Sequence, residues 1–244
     1  MKVKLLLAAI LVICTQSSVL AQSKLKGGLK ADFVSSYIWR GLNLGHFSFQ
    51  PELSIEWKGL SLSAWGSVGL TNHKDDNIEI DLTLSYETHG LSFGIIDYWN
   101  DEHDKRYFYY KTKVGNNQQE DEVTGHSFEG YVSYDFGPVS VSWQTFFAGN
   151  DFQKVDGKRS WSSYFQLAAP FRLITCDWEA TMGLVPWASD YYSANGFCVN
   201  NLSLKATKDI KITDSFSLPL FAQIVANPAS QKMYFIAGFT LKAF

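Results

Sequence analysis

The stretch Glu79-Ile80-Asp81-Leu82-Thr83-Leu84-Ser85-Tyr86 sets the tightest limit on what this chain can become. Its apolar residues recur at every second position. A strand puts Ile80, Leu82, Leu84 and Tyr86 on one face and Glu79, Asp81, Thr83 and Ser85 on the other, whereas a helix would scatter them round its circumference. Glu52 to Trp57 alternates in the same way, and the 61–68 stretch keeps Leu62, Ala64 and Val68 on one side. Segments of this kind recur at 29–40, 48–57, 60–71, 77–88, 91–100, 127–136, 139–149, 160–169, 175–186, 197–207, 216–227 and 233–244. That makes about twelve strands, each as long as a tilted membrane-spanning strand requires.

The connections alternate in length. Lys58-Gly59, His89-Gly90 and Gly137-Pro138 are tight turns, while 41–47, 72–76, 101–126, 150–159 and 187–196 are longer and polar. Outer-membrane barrels have short periplasmic turns and longer outer loops. A soluble β-sandwich has no reason to alternate. The rule weakens near the end, where 208–215 is a longish inner turn and 228–232 a short outer loop.

Aromatic residues make up 16% of the chain, with 8 Trp, 12 Tyr and 18 Phe, yet the mean hydropathy is only −0.09. No apolar run after the N-terminal one approaches membrane-helix length, so a helical membrane protein is excluded. Aromatic girdles around a half-polar interior produce this combination. Trp57, Tyr86 and Phe136 fall just before inner turns, and Trp39, Tyr98, Trp99, Phe146, Phe147, Trp161, Trp187, Tyr191 and Tyr192 fall near the outer strand ends. Trp and Tyr prefer the headgroup level because one end is apolar and the other polar.

The N-terminus reads as an export signal. Lys2 and Lys4 precede the apolar run Leu5 to Ile13, and Val19-Leu20-Ala21 suits a signal peptidase. The expected division is a signal peptide over 1–21 and a barrel over 22–244, with 22–27 as a short periplasmic lead. Cys14 follows Ile13, where a lipobox wants a small residue. Removing Lys2 and Lys4 takes the basic count from 21 to 19 against 24 acids, and the formal charge from −3 to −5. No basic stripe suggests nucleic acid. No internal repeat, low-complexity segment or second domain interrupts the hairpin rhythm.

Catalytic signatures are absent: no HExxH, P-loop, GxSxG or paired CxxC. No catalytic, cofactor or metal residue is assigned. His46, His73, His89, His103 and His126 sit in expected turns or loops or at their edges. The acids beside His73 and His103 make solvated loops a simpler reading than a metal site, since ligands within one short segment form no closed site. Cys176 and Cys198 fall at opposite ends of neighbouring strands, too far apart for a disulfide. The Asn201-Leu202-Ser203 sequon lies inside an expected strand and is read as accidental.

The inward row carries the functional expectation. If Leu62, Ile80 and Leu82 face lipid, then Glu52, Glu56, Glu79, Asp81, Glu129, Asp135, Asp177 and Glu179 line the lumen, joined by Arg40, Gln144, Tyr164, Gln166 and Gln223. Charge facing lipid costs about 2–4 kcal/mol at the midplane for Arg or Lys. A watered lumen avoids that cost, and its acidic excess favours cations or neutral polar solutes. About twelve strands lie between the filled interior of eight and the open channel of sixteen, which leaves both a pore and an occluded barrel open. The 101–126 connection either narrows the pore or extends a hairpin above the membrane.

Phe33-Val-Ser-Ser-Tyr-Ile-Trp-Arg-Gly41, Gly59-Leu-Ser-Leu-Ser-Ala-Trp-Gly66 and Ile212-Thr-Asp-Ser-Phe-Ser-Leu-Pro-Leu220 resemble a family of uncharacterised Bacteroides-type outer-membrane proteins. The Ser-Ser-Tyr-Ile-Trp-Arg-Gly block is also distantly similar to the start of TorF-type porins. The resemblance implies an outer-membrane, porin-like barrel and brings no catalytic set.

The expected protein is therefore all-β: a single transmembrane, antiparallel, up-and-down barrel of about twelve strands behind a cleaved signal peptide. Its expected partners are the lipid bilayer and small solutes, and its expected role is passive solute passage. Two alternatives stand beside that role: a lipid-modifying outer-membrane enzyme, and a plugged structural or complex-associated barrel. The enzyme needs a Ser or His facing lipid near a rim, and the alternation puts no histidine there. The last strand is irregular: Phe244 falls on the parity of Lys242 and Thr240, opposite Leu241 and Phe239, which asks for a bulge or for Phe244 beyond the lipid-facing row.

Overall fold

The computed structural model describes residues 25–71, 78–100, 112–114, 121–151, 158–214 and 216–243. Twelve strands close into an antiparallel barrel. They are β1 (Leu25–Val34), β4 (Ser48–Trp57), β5 (Leu60–Gly69), β6 (Ile78–Thr88), β7 (Leu91–Asn100), β10 (His126–Asp135), β11 (Ser140–Gly149), β12 (Ser163–Leu173), β13 (Cys176–Val185), β14 (Cys198–Lys211), β15 (Ser217–Asn227) and β16 (Lys232–Lys242). Two small pairs interrupt the series: β2 (Tyr37–Trp39) with β3 (Leu42–Gly45), and β8 (Thr112–Val114) with β9 (Asp121–Val123). Each barrel strand pairs with its neighbour in the chain, and β1 closes on β16 from Lys30↔Lys242 to Val34↔Gly238. Closure removes both sheet edges.

The alternation read from sequence sets the wall. On β4, Leu53, Ile55 and Trp57 are exposed while Gln50 is buried. On β6, Leu82, Leu84 and Tyr86 are exposed while Glu79 is 5% exposed. In β16 the exposed row is Met233, Phe235, Ala237 and Leu241, and its pairings with β15 and β1 run without a register shift. No bulge therefore turns the last strand; Phe244 lies outside the described residues.

Backbone chemistry fixes the inner hairpins. Lys58-Gly59 and His89-Gly90 carry positive φ at both positions (50° and 86°; 50° and 82°). That is the pattern of a type I′ turn, whose twist matches the flanking strands.

Several expected boundaries move. The 22–27 lead is partly strand: β1 starts at Leu25, which pairs with Trp57. The strand expected over 29–40 ends at Val34. Ser35 and Ser36 satisfy neighbouring backbone groups: Ser35 Oγ accepts from the Ala237 amide at 2.9 Å, and Ser36 Oγ donates to the Gly45 carbonyl at 3.0 Å. The chain then leaves the wall. The expected outer loop 41–47 is mostly β3, folded against β2. Strand β12 runs on to Leu173 and β14 to Lys211, so the expected inner turn 208–215 is shortened. Cys176 and Cys198 lie at opposite ends of the β13–β14 pairing, and both are free.

Candidate functional site

Two segments fill the outer half of the lumen: the β2–β3 hairpin and the 186–197 connection. The hairpin turns at Arg40-Gly41, with φ of 47° and 79°. Only glycine serves at the second position, because a Cβ on Gly41 would run into the Asn200 carbonyl. Asn200 Nδ2 donates to the Arg40 carbonyl and Asn227 Nδ2 to the Gly41 carbonyl, each at 3.0 Å. Wall strands β14 and β15 thus hold the tip of the hairpin through its own backbone.

The Arg40 side chain is the centre of the site. Its guanidinium meets Glu129 with two parallel bonds, Nη1 to Oε1 at 2.6 Å and Nη2 to Oε2 at 2.8 Å. This bidentate geometry is the strong form of the interaction. Arg40 also donates to the Tyr192 hydroxyl, and Tyr98 donates to Glu129 Oε2 at 2.8 Å. The guanidinium lies 4.4 Å from the Trp39 ring centroid and 4.7 Å from that of Tyr164, within cation–π range. Glu129 and Tyr164 are both 0% exposed. Burial alone would lower the Arg40 pKa, but Glu129, Tyr192 and Tyr98 outweigh it and hold the group above its ordinary range.

An aromatic cluster surrounds the ion pair. Tyr98, Phe146, Tyr164, Val185, Tyr192 and Ala194 are buried together, with Trp39 and Tyr191 packed against them. Trp39 stacks on Tyr192 with centroids 5.7 Å apart. This corrects the expected outer belt. Trp39, Tyr98, Phe146, Tyr191 and Tyr192 do not face lipid; Trp39, Tyr191 and Tyr192 belong to the plug, and Tyr98 and Phe146 point from the wall into it. Trp99 and Phe147 keep outward positions, and Trp161 and Trp187 are exposed. Two bulges bend the wall where the plug meets it, at Phe128/Glu129 and at Gly183/Leu184. Gly183 leaves the space that the Tyr164 hydroxyl occupies.

The expected lumen residues fall into two groups along the barrel. Glu79 and Asp81 sit near the outer end, and Asp81 Oδ1 is buried with no hydrogen-bond partner among the described residues. With Arg40, Glu129 and Tyr164 they belong to the filled half. Gln144 donates to Ser142 Oγ at 2.8 Å, and Gln166 and Gln223 are half-buried on the inward row. Toward the inner end the pairs are looser. Lys30 meets Glu52 at 2.9 Å and Lys26 meets Glu56 at 3.0 Å. Asp177 lies 3.8 Å from Arg172 with side-chain exposures of 72% and 75%, and Glu179 is exposed. Asp135 sits in the inner turn, where Oδ1 accepts from the Gly137 amide at 2.7 Å.

The alternation read from sequence missed Asn200, Asn227 and the inward role of Tyr98 and Tyr192. It also placed no histidine on the outward strand rows. His126 is the first residue of β10 and shares its outward row with exposed Val132 and Tyr134; its Nδ1 lies 2.8 Å from Asp97 Oδ1. His73 and His103 lie outside the described residues, as does most of the 101–126 connection.

No family model and no curated protein matches the chain. Among solved structures it is similar to the NanC porin at 8% identity, covering 88% of this chain and 98% of that one with a TM-score of 0.44. It is also similar to OmpF of Salmonella typhi in complex with daunomycin, at 10% identity, 89% and 97% coverage and a TM-score of 0.34.

Proposed function

We propose that the chain is an outer-membrane, porin-like barrel that passes small solutes, with the outer half of its lumen held shut by the Arg40 hairpin. The observation that carries this reading is the exposure gradient along the inward row. Lys26, Glu56, Arg172 and Asp177 have side chains between 43% and 75% exposed although they point into the barrel. Glu129 and Tyr164, nearer the outer end of the same interior, are 0% exposed. Such a gradient describes a watered inner vestibule beneath a packed plug. The outward rows of Leu, Ile, Val and Phe give a lipid-facing wall, and Trp57, Tyr86, Phe136, Trp161 and Trp187 supply its aromatic rims.

Solutes admitted past the plug meet an interior with more carboxylates than cations, so passage favours cations and neutral polar molecules. Export uses the N-terminal segment, with cleavage after Ala21. No enzymatic step is part of this reading.

Planar-bilayer recording tests it. Wild-type protein gives small or infrequent conductance steps, and Arg40→Ala gives larger or more frequent ones with cation-biased reversal potentials. A folded wild type and a folded Arg40→Ala that are both silent would overturn the channel and favour the plugged structural barrel. That second reading has its own support in the complete burial of Glu129, Phe146 and Tyr164.

A further inference from the structure

Charge is nearly absent from the outward rows of the barrel. Among the described barrel strands, Asp97 is the one carboxylate there, flanked across the sheet by Leu82 on β6 and Phe128 on β10. It sits three residues from the outer end of β7. The His126 imidazole lies 2.8 and 3.0 Å from its two oxygens and stacks on Phe128, with centroids 6.0 Å apart. The carboxylate side chain remains 22% exposed. A carboxylate has about four acceptor positions, so one imidazole does not saturate it.

Directly inward along the same two strands lies a groove of about 510 Å³. Its outward walls are Tyr86, Phe93, Ile95, Val132 and Trp143, and its floor is open because Gly130, paired with Ile95, has no side chain. A Cβ added to Gly130 would meet nothing closer than the Phe147 ring at 3.7 Å, an ordinary packing distance, so the position has room for a side chain that the glycine does not supply. Asp97↔Phe128 is the next outward-facing pair beyond Ile95↔Gly130, about 7 Å along the strand. An apolar groove therefore ends, toward the outer rim, at an acidic acceptor held in place by an imidazole.

We propose that this face is a binding site for one phospholipid with an ammonium headgroup: an acyl chain lies in the Gly130 groove and the ammonium is held by Asp97. Charge complementarity selects the headgroup, since Asp97 repels an anionic one and accepts hydrogen bonds from a primary ammonium. His126 is the positioning residue that orients the carboxylate. The site rests on the membrane placement proposed above but not on conduction.

The test is native mass spectrometry of the folded barrel with short-chain phosphatidylethanolamine, phosphatidylcholine or phosphatidylglycerol added at equal concentration. Insertion into vesicles is checked first, and failure to insert overturns the membrane placement rather than this site alone. Wild-type protein retains phosphatidylethanolamine at least fivefold over phosphatidylglycerol, with phosphatidylcholine between. Asp97→Asn abolishes that preference, and Gly130→Leu lowers retention of all three lipids. Equal retention by the wild type, or a preference for the anionic lipid, leaves Asp97 and His126 as a self-neutralised pair only and overturns the site. That comparison needs no variant, so a misfolded substitution does not shield the proposal. Unchanged retention in folded Gly130→Leu overturns the groove.

Discussion

Arg40 and Glu129 lie far apart in sequence and meet inside a packed interior, so their energetics are those of a buried pair. Removing one partner leaves the other charge uncompensated, which costs about 3–5 kcal/mol, whereas replacing both with apolar groups of similar volume is often neutral. Arg40→Met should therefore lower the unfolding free energy by about 3–5 kcal/mol, read by urea titration in lipid vesicles. The double variant Arg40→Met/Glu129→Leu should recover most of that loss. A double variant as unstable as the single one would mean that the pair contributes through its other hydrogen bonds, to Tyr98 and Tyr192, more than through charge. Lys26 and Glu56 are the contrasting case: with side chains 75% and 43% exposed, their pair is hydrated, and Lys26→Ala should change stability by less than about 1 kcal/mol. Gly183 gives a steric prediction. A Cβ there would overlap the Tyr164 hydroxyl, so Gly183→Val should displace Tyr164 and lower the temperature at which the barrel unfolds. Gly196→Val, with nothing within 4 Å of its Cβ, is the control.

At the level of elements, the plug is two connections rather than a strand. Replacing residues 37–45 by a short flexible linker should leave the twelve-strand wall intact by circular dichroism and raise conductance above the wild-type value. The 186–197 connection adds a pH signature. Burial is the main cause that pushes the phenols of Tyr191 and Tyr192 above the usual tyrosine value. Ionising them opposes burial, so their contribution to stability is full below the unfolded tyrosine pKa near 10 and is lost as pH rises above it. Absorbance at 295 nm should show fewer ionised tyrosines in the folded barrel than in denatured protein at pH 11. Equal titration would mean that the connection does not stay packed in the lumen. Part of this element was readable in the sequence. Arg40-Gly41 follows Ile38-Trp39 and precedes Leu42, the same residue-then-glycine turn that marks Lys58-Gly59 and His89-Gly90. Read as a hairpin turn, it breaks the strand expected over 29–40. What hid it was that the apolar row resumes at Tyr37 and Trp39 after the Ser35-Ser36 interruption, a pattern equally compatible with a strand in the wall and a strand inside it.

For the whole molecule, a prediction concerns where the mature chain begins. Intact mass of protein isolated from outer membranes should match a chain starting at Gln22; a retained N-terminus would remove the export signal from the reading. The strand count, the antiparallel order and the inward and outward rows were set by the sequence alone, because a period of two and the length of each turn are local properties. Glu79 to Tyr86 needs no tertiary information to choose its two faces. Tertiary structure alone decided what occupies the space those faces enclose. Trp39, Tyr191 and Tyr192 have the amphipathic character of rim residues, and nothing local distinguishes a ring at the rim from a ring in the plug. The distinction arises only when Arg40 is carried across the lumen to Glu129 and the Asn200 and Asn227 amides close on the backbone carbonyls of Arg40 and Gly41. Those contacts join residues up to 186 positions apart, and only the closed barrel brings them together.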